Sequence, residues 1–225
     1  MKTTKCHKCK ASFDYEPTFL DEREIFAPTI CQPCEAILKA EEKQLIEAEA
    51  VKKRQEKWAA LCPEAYMATE IIRLPKHYQA AIHAWRFNAK GIAFVGQAGI
   101  GKTRAAFCIL AREHFIGRRC HVIRATRLSA ASIEKFDNDF RTKGRAREDI
   151  HLCHVAEILL IDDLGKGKFT PSAEEDLYDI LESRTSRRRP TLWTANAMGD
   201  ELAAKFSDDR CAAIIRRLVD FSDIL

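Results

Sequence analysis

The chain has 225 residues, a formal net charge of +4 and 31% charged side chains, so we expect a soluble protein with one full-sized domain and a small appendage. No run of about 18 apolar residues occurs, which argues against a transmembrane helix, and the N-terminal MKTTKCHKCK lacks the apolar segment of a signal peptide. We therefore expect a cytoplasmic protein without membrane contact, whose mild positive charge allows contact with nucleic acid without requiring it.

Two C-x-x-C pairs stand near the start of the chain, Cys6 with Cys9 and Cys31 with Cys34. Four thiolates at this spacing are typical of a structural Zn²⁺ site. Residues 11–30 contain too few apolar side chains to fold alone, so metal binding would supply the missing folding free energy. Disulfides or a redox motif are the alternatives, but a redox motif needs only one pair and the compartment is reducing. We assign residues 1–36 to a zinc-binding segment.

Residues 35–60 contain neither Gly nor Pro and are rich in Ala, Glu, Lys and Leu, which predicts a helix. We assign residues 37–64 to a linker helix that ends near Pro63. Its apolar stripe is thin, so both a solvated linker and a helix that docks on a partner remain open. Residues 66–90 form a connector in which we expect one short helix around residues 77–85.

The strongest signal is a G-x-x-x-x-G-K-T run at residues 96–103, between a strand-like segment at 91–95 and a helix-like segment at 104–115. Glycines at these positions let consecutive backbone N–H groups point inward and form an anion site at a helix N-terminus. We expect Lys102 to reach the outer phosphates of ATP and the hydroxyl of Thr103 to hold Mg²⁺. The predicted nucleotide-binding residues of this loop are Gly96, Gln97, Ala98, Gly99, Ile100, Gly101, Lys102, Thr103 and Arg104.

The segment after the first helix predicts a second strand at residues 120–125, a helix at 126–140 and a basic loop at 141–147. The loop prediction depends on Gly144, which favours an interruption of helical structure. Its basic side chains could form a solvated face or contact a phosphate backbone.

Four aliphatic residues at 158–161 predict a strand buried on both faces of a parallel sheet, and two carboxylates follow it. Ligands of open α/β sheets bind at the carboxyl ends of the strands. We expect Asp162 to hold Mg²⁺, and Asp163 to orient or deprotonate the attacking water. A further strand at 191–195 ends at Asn196, whose amide could hydrogen-bond both the γ-phosphate and the water.

Helices at residues 171–184 and 208–219 and a final edge strand at 221–225 complete the expected domain. Together these elements predict an α/β P-loop domain, with a parallel central sheet and helices on both faces. A zinc knuckle and a linker helix precede it.

The segments GQAGIGKT, LLIDDLG, SRRRPTLWTAN and AAIIRRLVDFSDIL make residues 66–225 similar to the AAA+ ATPases of the helicase-loader group. This group contains DnaC- and DnaI-like proteins and the transposition helper IstB. The resemblance implies an AAA+ domain at residues 65–225 that binds and hydrolyses ATP with Mg²⁺. It also implies that Asn196 is the sensor 1 asparagine. Arg217 would act in trans as an arginine finger of a self-associated assembly, with the adjacent Arg216 as a competitor.

Two features depart from that pattern. Most AAA+ proteins have Glu where Asp163 stands, and we expect the shorter side chain to slow hydrolysis. Neither a C-terminal lid nor a sensor 2 arginine is evident in the sequence, which favours a nucleotide switch over a stable ring.

Three functional hypotheses follow from the motifs and the resemblance. The first is a DNA-replication accessory ATPase that loads a replicative helicase onto single-stranded DNA, with the zinc segment and linker helix contacting the helicase. The second is an IstB-like helper for transposition or another phage DNA transaction. The third is a nucleotide-gated zinc adaptor with little turnover.

Overall fold

The computed structural model describes residues 1–20, 23–167 and 169–225. The chain divides into two compact units, Met1–Gln55 and Glu56–Leu225. Where the structure describes the chain, none of its helices combines the length and the apolar character that a membrane crossing needs.

The first unit contains two small antiparallel pairs of strands. Strand β1 (Lys2–Lys5) pairs with β2 (Ser12–Tyr15), and β3 (Thr18–Leu20) pairs with β4 (Arg23–Phe26). Its described buried apolar residues are three of the cysteines, with Phe13 and Ile30 packed against them. Such a core is too small to hold this segment together by apolar burial alone.

Helix α1 (Gln32–Leu61) runs without interruption for 30 residues. The predicted helix is therefore confirmed, and Pro33 lies in the first turn, where a missing backbone N–H costs nothing. Several large apolar side chains on it are exposed, among them Leu45 at 70% and Ile46 at 61%. The first unit gives this part of the helix little apolar surface to pack against.

The second unit alternates helices and strands. Its elements are α2 (Glu64–Met67), a 3₁₀ turn (Ile71–Arg73), α3 (Lys76–Ala84), β5 (Gly91–Val95), α4 (Lys102–Phe115), β6 (Cys120–Arg124), α5 (Ala125–Glu134), α6 (Phe140–Val155), β7 (Ile158–Leu164), α7 (Pro171–Ser186), β8 (Thr191–Ala195), α8 (Asp200–Ala203), α9 (Asp208–Asp220) and β9 (Ser222–Ile224).

The five strands form one parallel sheet in the order β6-β7-β8-β5-β9. The predicted α/β fold with a parallel sheet is confirmed, and β9 lies at one edge, as expected. β5 and β8 approach closely at Gly91, where a Cβ atom would lie 1.8 Å from the carbonyl oxygen of Thr191. Any larger residue at Gly91 would push these two strands apart.

Successive residues of β7 point to opposite faces of the sheet and enter two separate cores. Leu159 and Ile161 pack with α5, α7 and α9 on one face. Ile158 and Leu160 pack with α3 and α4 on the other face. Helices therefore cover both faces, and this explains why the predicted strand is a continuous aliphatic run and not an alternating one.

The predicted basic loop at residues 141–147 is wrong, because these residues belong to α6. The carboxylate of Asp139 caps this helix by accepting a hydrogen bond from the backbone N–H of Thr142 at 2.7 Å. Ala146 is fully buried in the helix, so tertiary packing and the cap outweigh the cost of about 1 kcal/mol for Gly144. The predicted helix at 126–140 is correspondingly shorter, and α5 ends at Glu134.

Arg184 on α7 is fully buried and connects α7 to the segments that precede β7 and β8. Its guanidinium donates to the carbonyl oxygens of Cys153 (2.9 Å), Ala156 (2.8 Å) and Pro190 (2.6 Å). It also donates from Nε to Thr191 Oγ1 at 2.9 Å. Burial lowers its pKa to about 9, so the charge depends on these acceptors for its solvation.

Candidate functional site

The loop between β5 and α4 lies at the carboxyl end of the central strands, and its backbone conformation requires glycine. Gly101 is the N-cap residue of α4 and has φ of 96°, in the left-handed region. A Cβ atom there would also lie 2.8 Å from Leu74 Cδ2. The loop thus delivers the N-terminus of a 14-residue helix, where free N–H groups and the helix dipole favour an anion.

Lys102 lies inside this loop with 6% of its surface exposed. Its Nζ donates to the carbonyl oxygens of Gly96 at 2.7 Å and Gln97 at 2.8 Å. Burial lowers the pKa of Lys102, and the nearby carboxylates of Asp163 and Asp162 oppose this effect. An anion placed against the loop would compensate a cation that is poorly solvated without it.

The carboxylate of Asp162 lies against the start of α4. Its Oδ1 accepts hydrogen bonds from Thr103 Oγ1 at 2.8 Å and from Thr194 Oγ1 at 2.7 Å. A carboxylate and a hydroxyl 59 residues apart in sequence therefore meet at the expected place. Oxygen ligands of these two types are those that Mg²⁺ prefers, so the donor set fits that ion.

Asp163 has an unusual backbone conformation, with φ of 57° in a residue that is not glycine. The pairing of β7 with β8 shifts register between Ile161 and Leu164, around these two acids. The backbone N–H of Asp163 donates to Thr194 Oγ1 at 2.9 Å, and this hydrogen bond helps to stabilise the register shift between β7 and β8. Its carboxylate lies 3.7 Å from Lys166 Nζ and reaches the adjacent cavity.

A cavity of about 320 Å³ lies over the loop and the strand ends. Its lining residues come from the phosphate loop, the ends of β7 and β8, and α2, and are Tyr66, Ala98, Gly99, Gly101, Lys102, Thr103, Arg104, Asp163, Lys166 and Asn196. The structure thus brings Lys102, Thr103, Asp163 and the exposed Asn196 to one cavity, with Asp162 bonded to Thr103 beside it. Gly96 and Gln97 contact the Lys102 ammonium, and Ile100 lines a neighbouring cavity of about 330 Å³ with Leu74.

Arg217 does not line this cavity. Its Nε donates to Glu182 Oε2 at 2.6 Å, and its Nη2 donates to the hydroxyl of Tyr178 at 3.0 Å. Its guanidinium also lies 4.4 Å from the Tyr178 ring centroid, so α7 holds this side chain. Arg216 is much more exposed, at 80%, and makes an ion pair with Asp220 on the same helix at 3.4 Å.

Three residues of the site were missed by sequence reasoning. Thr194 bonds both acids, and the signal that could have found it is a hydroxyl residue near the carboxyl end of the strand Thr191–Ala195, next to Asn196. Tyr66 lies 5.3 Å from the Arg104 guanidinium, and Lys166 pairs with Asp163. No sequence pattern distinguishes these two from ordinary surface residues.

The four cysteines of the first unit form the predicted cluster. The Sγ atoms of Cys6, Cys9, Cys31 and Cys34 all lie within 4.8 Å of one another. Hydrogen bonds from the backbone N–H groups of Cys9 and then of Cys31, the latter at 3.4 Å from Cys6 Sγ, lower the pKa of Cys6 to about 6. A sulfur that is readily deprotonated and four converging ligands fit a tetrahedral metal ion. No disulfide joins any two cysteines in the part of the chain that the structure describes.

Comparison with known families is decisive for the larger unit. The model of the IstB-like ATP binding protein family matches residues 65–225. The chain belongs to this family. The match confirms the resemblance to the AAA+ group that contains DnaC- and IstB-like proteins. A search of curated proteins found no match.

Solved structures show the same fold in more distant proteins. The DnaC helicase loader matches with a TM-score of 0.56 and 20% identity over 72% of this chain and 98% of that chain. DnaI matches with a TM-score of 0.58 and 16% identity over 73% of this chain and 93% of that chain. DnaA from Aquifex aeolicus, bound to AMPPCP, matches with a TM-score of 0.52 and 16% identity over 67% of this chain and 44% of that chain.

Proposed function

We propose that this IstB-like protein binds and hydrolyses ATP with Mg²⁺ at the cavity over the phosphate loop. The observation that carries the proposal is the 2.8 Å bond from Thr103 to Asp162, which joins the phosphate loop to the end of β7. Thr103 and Asp162 would hold Mg²⁺, which supplies charge neutralisation on the phosphates. The amides of residues 96–104 would bind the phosphates, and Lys102 would exchange its carbonyl partners for phosphate oxygens.

Asp163 and Asn196 supply the remaining functions that hydrolysis needs. The Asp163 carboxylate borders the cavity and would accept a proton from the attacking water. The Asn196 amide would fix the orientation of that water and contact the γ-phosphate. Because the Asp163 carboxylate is also paired with Lys166 and is shorter than glutamate, we expect slow turnover in the isolated chain.

Arg217 is our candidate for an arginine finger supplied to a neighbouring subunit. In the single chain it is held by Glu182 and Tyr178, so it would have to leave these partners on assembly. The adjacent Arg216 is the more exposed of the two and competes for this role. Comparison of ATPase rates at rising concentrations of Arg216→Ala and Arg217→Ala proteins would assign it.

The wider function we propose is loading of a replicative helicase onto single-stranded DNA. The fold shared with DnaC and DnaI supports this proposal. Zn²⁺ bound by Cys6, Cys9, Cys31 and Cys34 would order the first unit, and the exposed apolar residues of α1 would give that unit a surface for the helicase.

A surface where α5 meets α6 supports the single-stranded DNA contact. Phe136 is 69% exposed and Phe140 is 85% exposed, so both aromatic rings are accessible to a ligand. Arg141 follows Phe140 directly and Arg147 lies further along α6, and both are exposed. Aromatic rings that stack on bases, with cations that bind phosphates, are the usual components of a single-strand site.

A direct test combines binding and turnover. We expect the zinc-loaded protein to retain a hexameric replicative helicase on a column, and we expect single-stranded DNA to raise its ATPase rate. Changing both Phe136 and Phe140 to Ala should weaken single-stranded DNA binding about 10-fold or more, from stacking losses of about 1–3 kcal/mol per base. Phe221→Ala, at an exposed residue elsewhere, is the matched control. Unchanged DNA affinity in the double variant would contradict the assigned surface.

The family match favours one second candidate, an IstB-like helper in transposition or another DNA transaction. This role predicts tight binding of double-stranded DNA and no retention of the helicase. Measured side by side, the two binding assays separate the candidates. ATP turnover that stays near zero with DNA and at high protein concentration would instead favour the nucleotide-gated adaptor.

A further inference from the structure

A second, larger cleft opens on the other side of Asp162. Its volume is about 590 Å³, within the range of about 300–1,000 Å³ that small-molecule sites occupy. The walls come from the end of α1, from α2, from strands β6 and β7, and from helices α4, α5 and α6. The lining residues are Lys57, Ala60, Leu61, Pro63, Tyr66, Phe107, His121, Val122, Ile123, Arg124, Arg127, Arg145, Asp149 and Asp162.

Two nitrogen atoms of the lining residues are buried and have no hydrogen-bond partner within the described ranges, Arg127 Nη2 and His121 Nε2. The Arg127 guanidinium is held by Asp149 at 2.7 Å from Nε and by Glu134 at 2.6 Å from Nη1. These two ion pairs fix the guanidinium in the wall of the cleft and leave its Nη2 without an acceptor. Leaving such groups unpaired is costly, which makes them a marker of a binding site.

The charge of the lining favours an anion. Four basic side chains, Lys57, Arg124, Arg127 and Arg145, face the cleft together with two carboxylates. Both carboxylates already have partners, because Asp149 accepts from Arg127 and Asp162 accepts from two threonine hydroxyls. Arg127 is itself paired with Asp149 and Glu134, so the charge that attracts a ligand of negative charge comes from Lys57, Arg124 and Arg145.

The opposite wall is apolar and aromatic. Tyr66 and Phe107 lie with their ring centroids 5.2 Å apart, and Leu61 and Pro63 extend the same surface. A ligand that combines phosphate with a flat ring system would match both walls. A bare phosphate would leave this apolar wall in contact with water.

We propose that this cleft binds a second nucleotide as an effector, with its phosphate against Arg124, Arg127 and Arg145 and its base against Tyr66. A free nucleotide fits better than a nucleic-acid strand, because the cleft has the volume of a small-molecule site. Tyr66 also lines the ATP cavity, and Asp162 bonds to Thr103 there. Occupation of the cleft changes the affinity for MgATP through these two residues, and MgATP changes the effector affinity by the same factor.

The test is calorimetric titration of the full-length, zinc-loaded chain carrying Lys102→Ala, which removes the contribution of the phosphate loop. AMP and ADP are the probes. We expect one nucleotide to bind per chain. Adding the double change Arg124→Ala and Arg145→Ala should weaken the affinity for this nucleotide about 10-fold or more, because charge-assisted hydrogen bonds are lost. Arg187→Ala, at an exposed arginine after α7 that does not line the cleft, is the matched control.

A second variant blocks the cleft without removing charge. Ala60→Trp places a large ring at an exposed position of its wall and should abolish AMP and ADP binding in the Lys102→Ala background. Three results would overturn the proposal. They are absence of any nucleotide binding to the Lys102→Ala protein, binding that neither cleft variant weakens, and cleft variants that lose affinity for a single-stranded oligonucleotide but not for AMP or ADP.

Discussion

The two units of this chain reach order by different means. In Met1–Gln55 the described buried apolar core is little more than the cysteine cluster itself, whereas Glu56–Leu225 has two extensive cores on opposite faces of a parallel sheet. We therefore expect the first unit to need a bound metal ion in order to fold. We expect the second to fold alone and to present a preformed site at the end of its strands. The cysteine motif and the phosphate-loop motif are equally clear in the sequence. Removal of the ligand should nevertheless unfold only the first unit.

The largest difference should appear on metal removal. Chelation, or Cys6→Ser, should unfold the first unit, because metal binding at structural zinc sites contributes roughly 10–16 kcal/mol of apparent free energy. Trp58, Trp85 and Trp193 all lie in the second unit, so tryptophan fluorescence should stay unchanged while proteolysis of the first unit accelerates. Cys108→Ser is the matched control. If the first unit still resists protease after complete chelation, the expected dependence of its folding on metal is contradicted.

The preformed site should lose turnover without losing structure when its acid is neutralised. Asp163→Asn should lower kcat by about 10²–10⁴, the usual contribution of a general base, and leave MgATP affinity within a few-fold. Steady-state ATPase assays with a parallel binding titration separate these quantities. A fall in affinity with kcat unchanged would assign Asp163 to binding and not to proton transfer.

The stability of the second unit should depend on the buried side chain of Arg184. Arg184→Met leaves buried carbonyl groups at Cys153, Ala156 and Pro190 without donors, and should destabilise this unit by about 3–5 kcal/mol. Urea unfolding followed by tryptophan fluorescence measures the change. Arg187→Met, at an exposed residue of the same segment, should change stability by less than about 0.5 kcal/mol. Equal effects of the two substitutions would exclude this role for Arg184.

A smaller effect is expected on the stability of the second unit at acidic pH. Burial lowers the pKa of His121 and of His154 below the ordinary 6.5, so the unfolded chain binds protons that the folded chain does not. The free energy of unfolding of the second unit should therefore be constant above this value and fall as the pH drops below it. The double change to Gln should flatten the fall, whereas His83→Gln, at an exposed residue, should not. A second unit that gains stability between pH 6.5 and 5.5 would contradict the sign.

Sequence reasoning located the elements whose chemistry is local. The G-x-x-x-x-G-K-T loop, the aliphatic run before Asp162 and the cysteine spacings each carry their own physical requirement, and the structure has the corresponding loop, strand and cluster. Reasoning failed at residues 141–147, where the buried Ala146 and the Asp139 cap outweigh Gly144. Neither the packing of Ala146 nor the partner of a cap can be read without the tertiary fold.

The same limit applies to the residues that complete the site. Thr194 bonds Asp162 and Asp163 from the neighbouring strand, and this depends on the register of β7 with β8. The second cleft, which is lined by Arg127 and Tyr66, is formed by five stretches of the chain that are separate in sequence. No single stretch of sequence contains either arrangement. The roles assigned to Asn196 and Arg217 are also relations between groups, and they stay predictions.

The most direct test of the account is the affinity of the full-length chain for MgATP when the phosphate loop and the end of β7 are altered separately. The comparison uses the wild-type chain, Lys102→Ala and Asp162→Asn, with ATP titrated in the presence and absence of Mg²⁺. We predict that Lys102→Ala removes the Mg²⁺-dependent binding. We also predict that Asp162→Asn retains ATP binding but loses its enhancement by Mg²⁺. Wild-type affinity and Mg²⁺ dependence in both variants would contradict the proposed site.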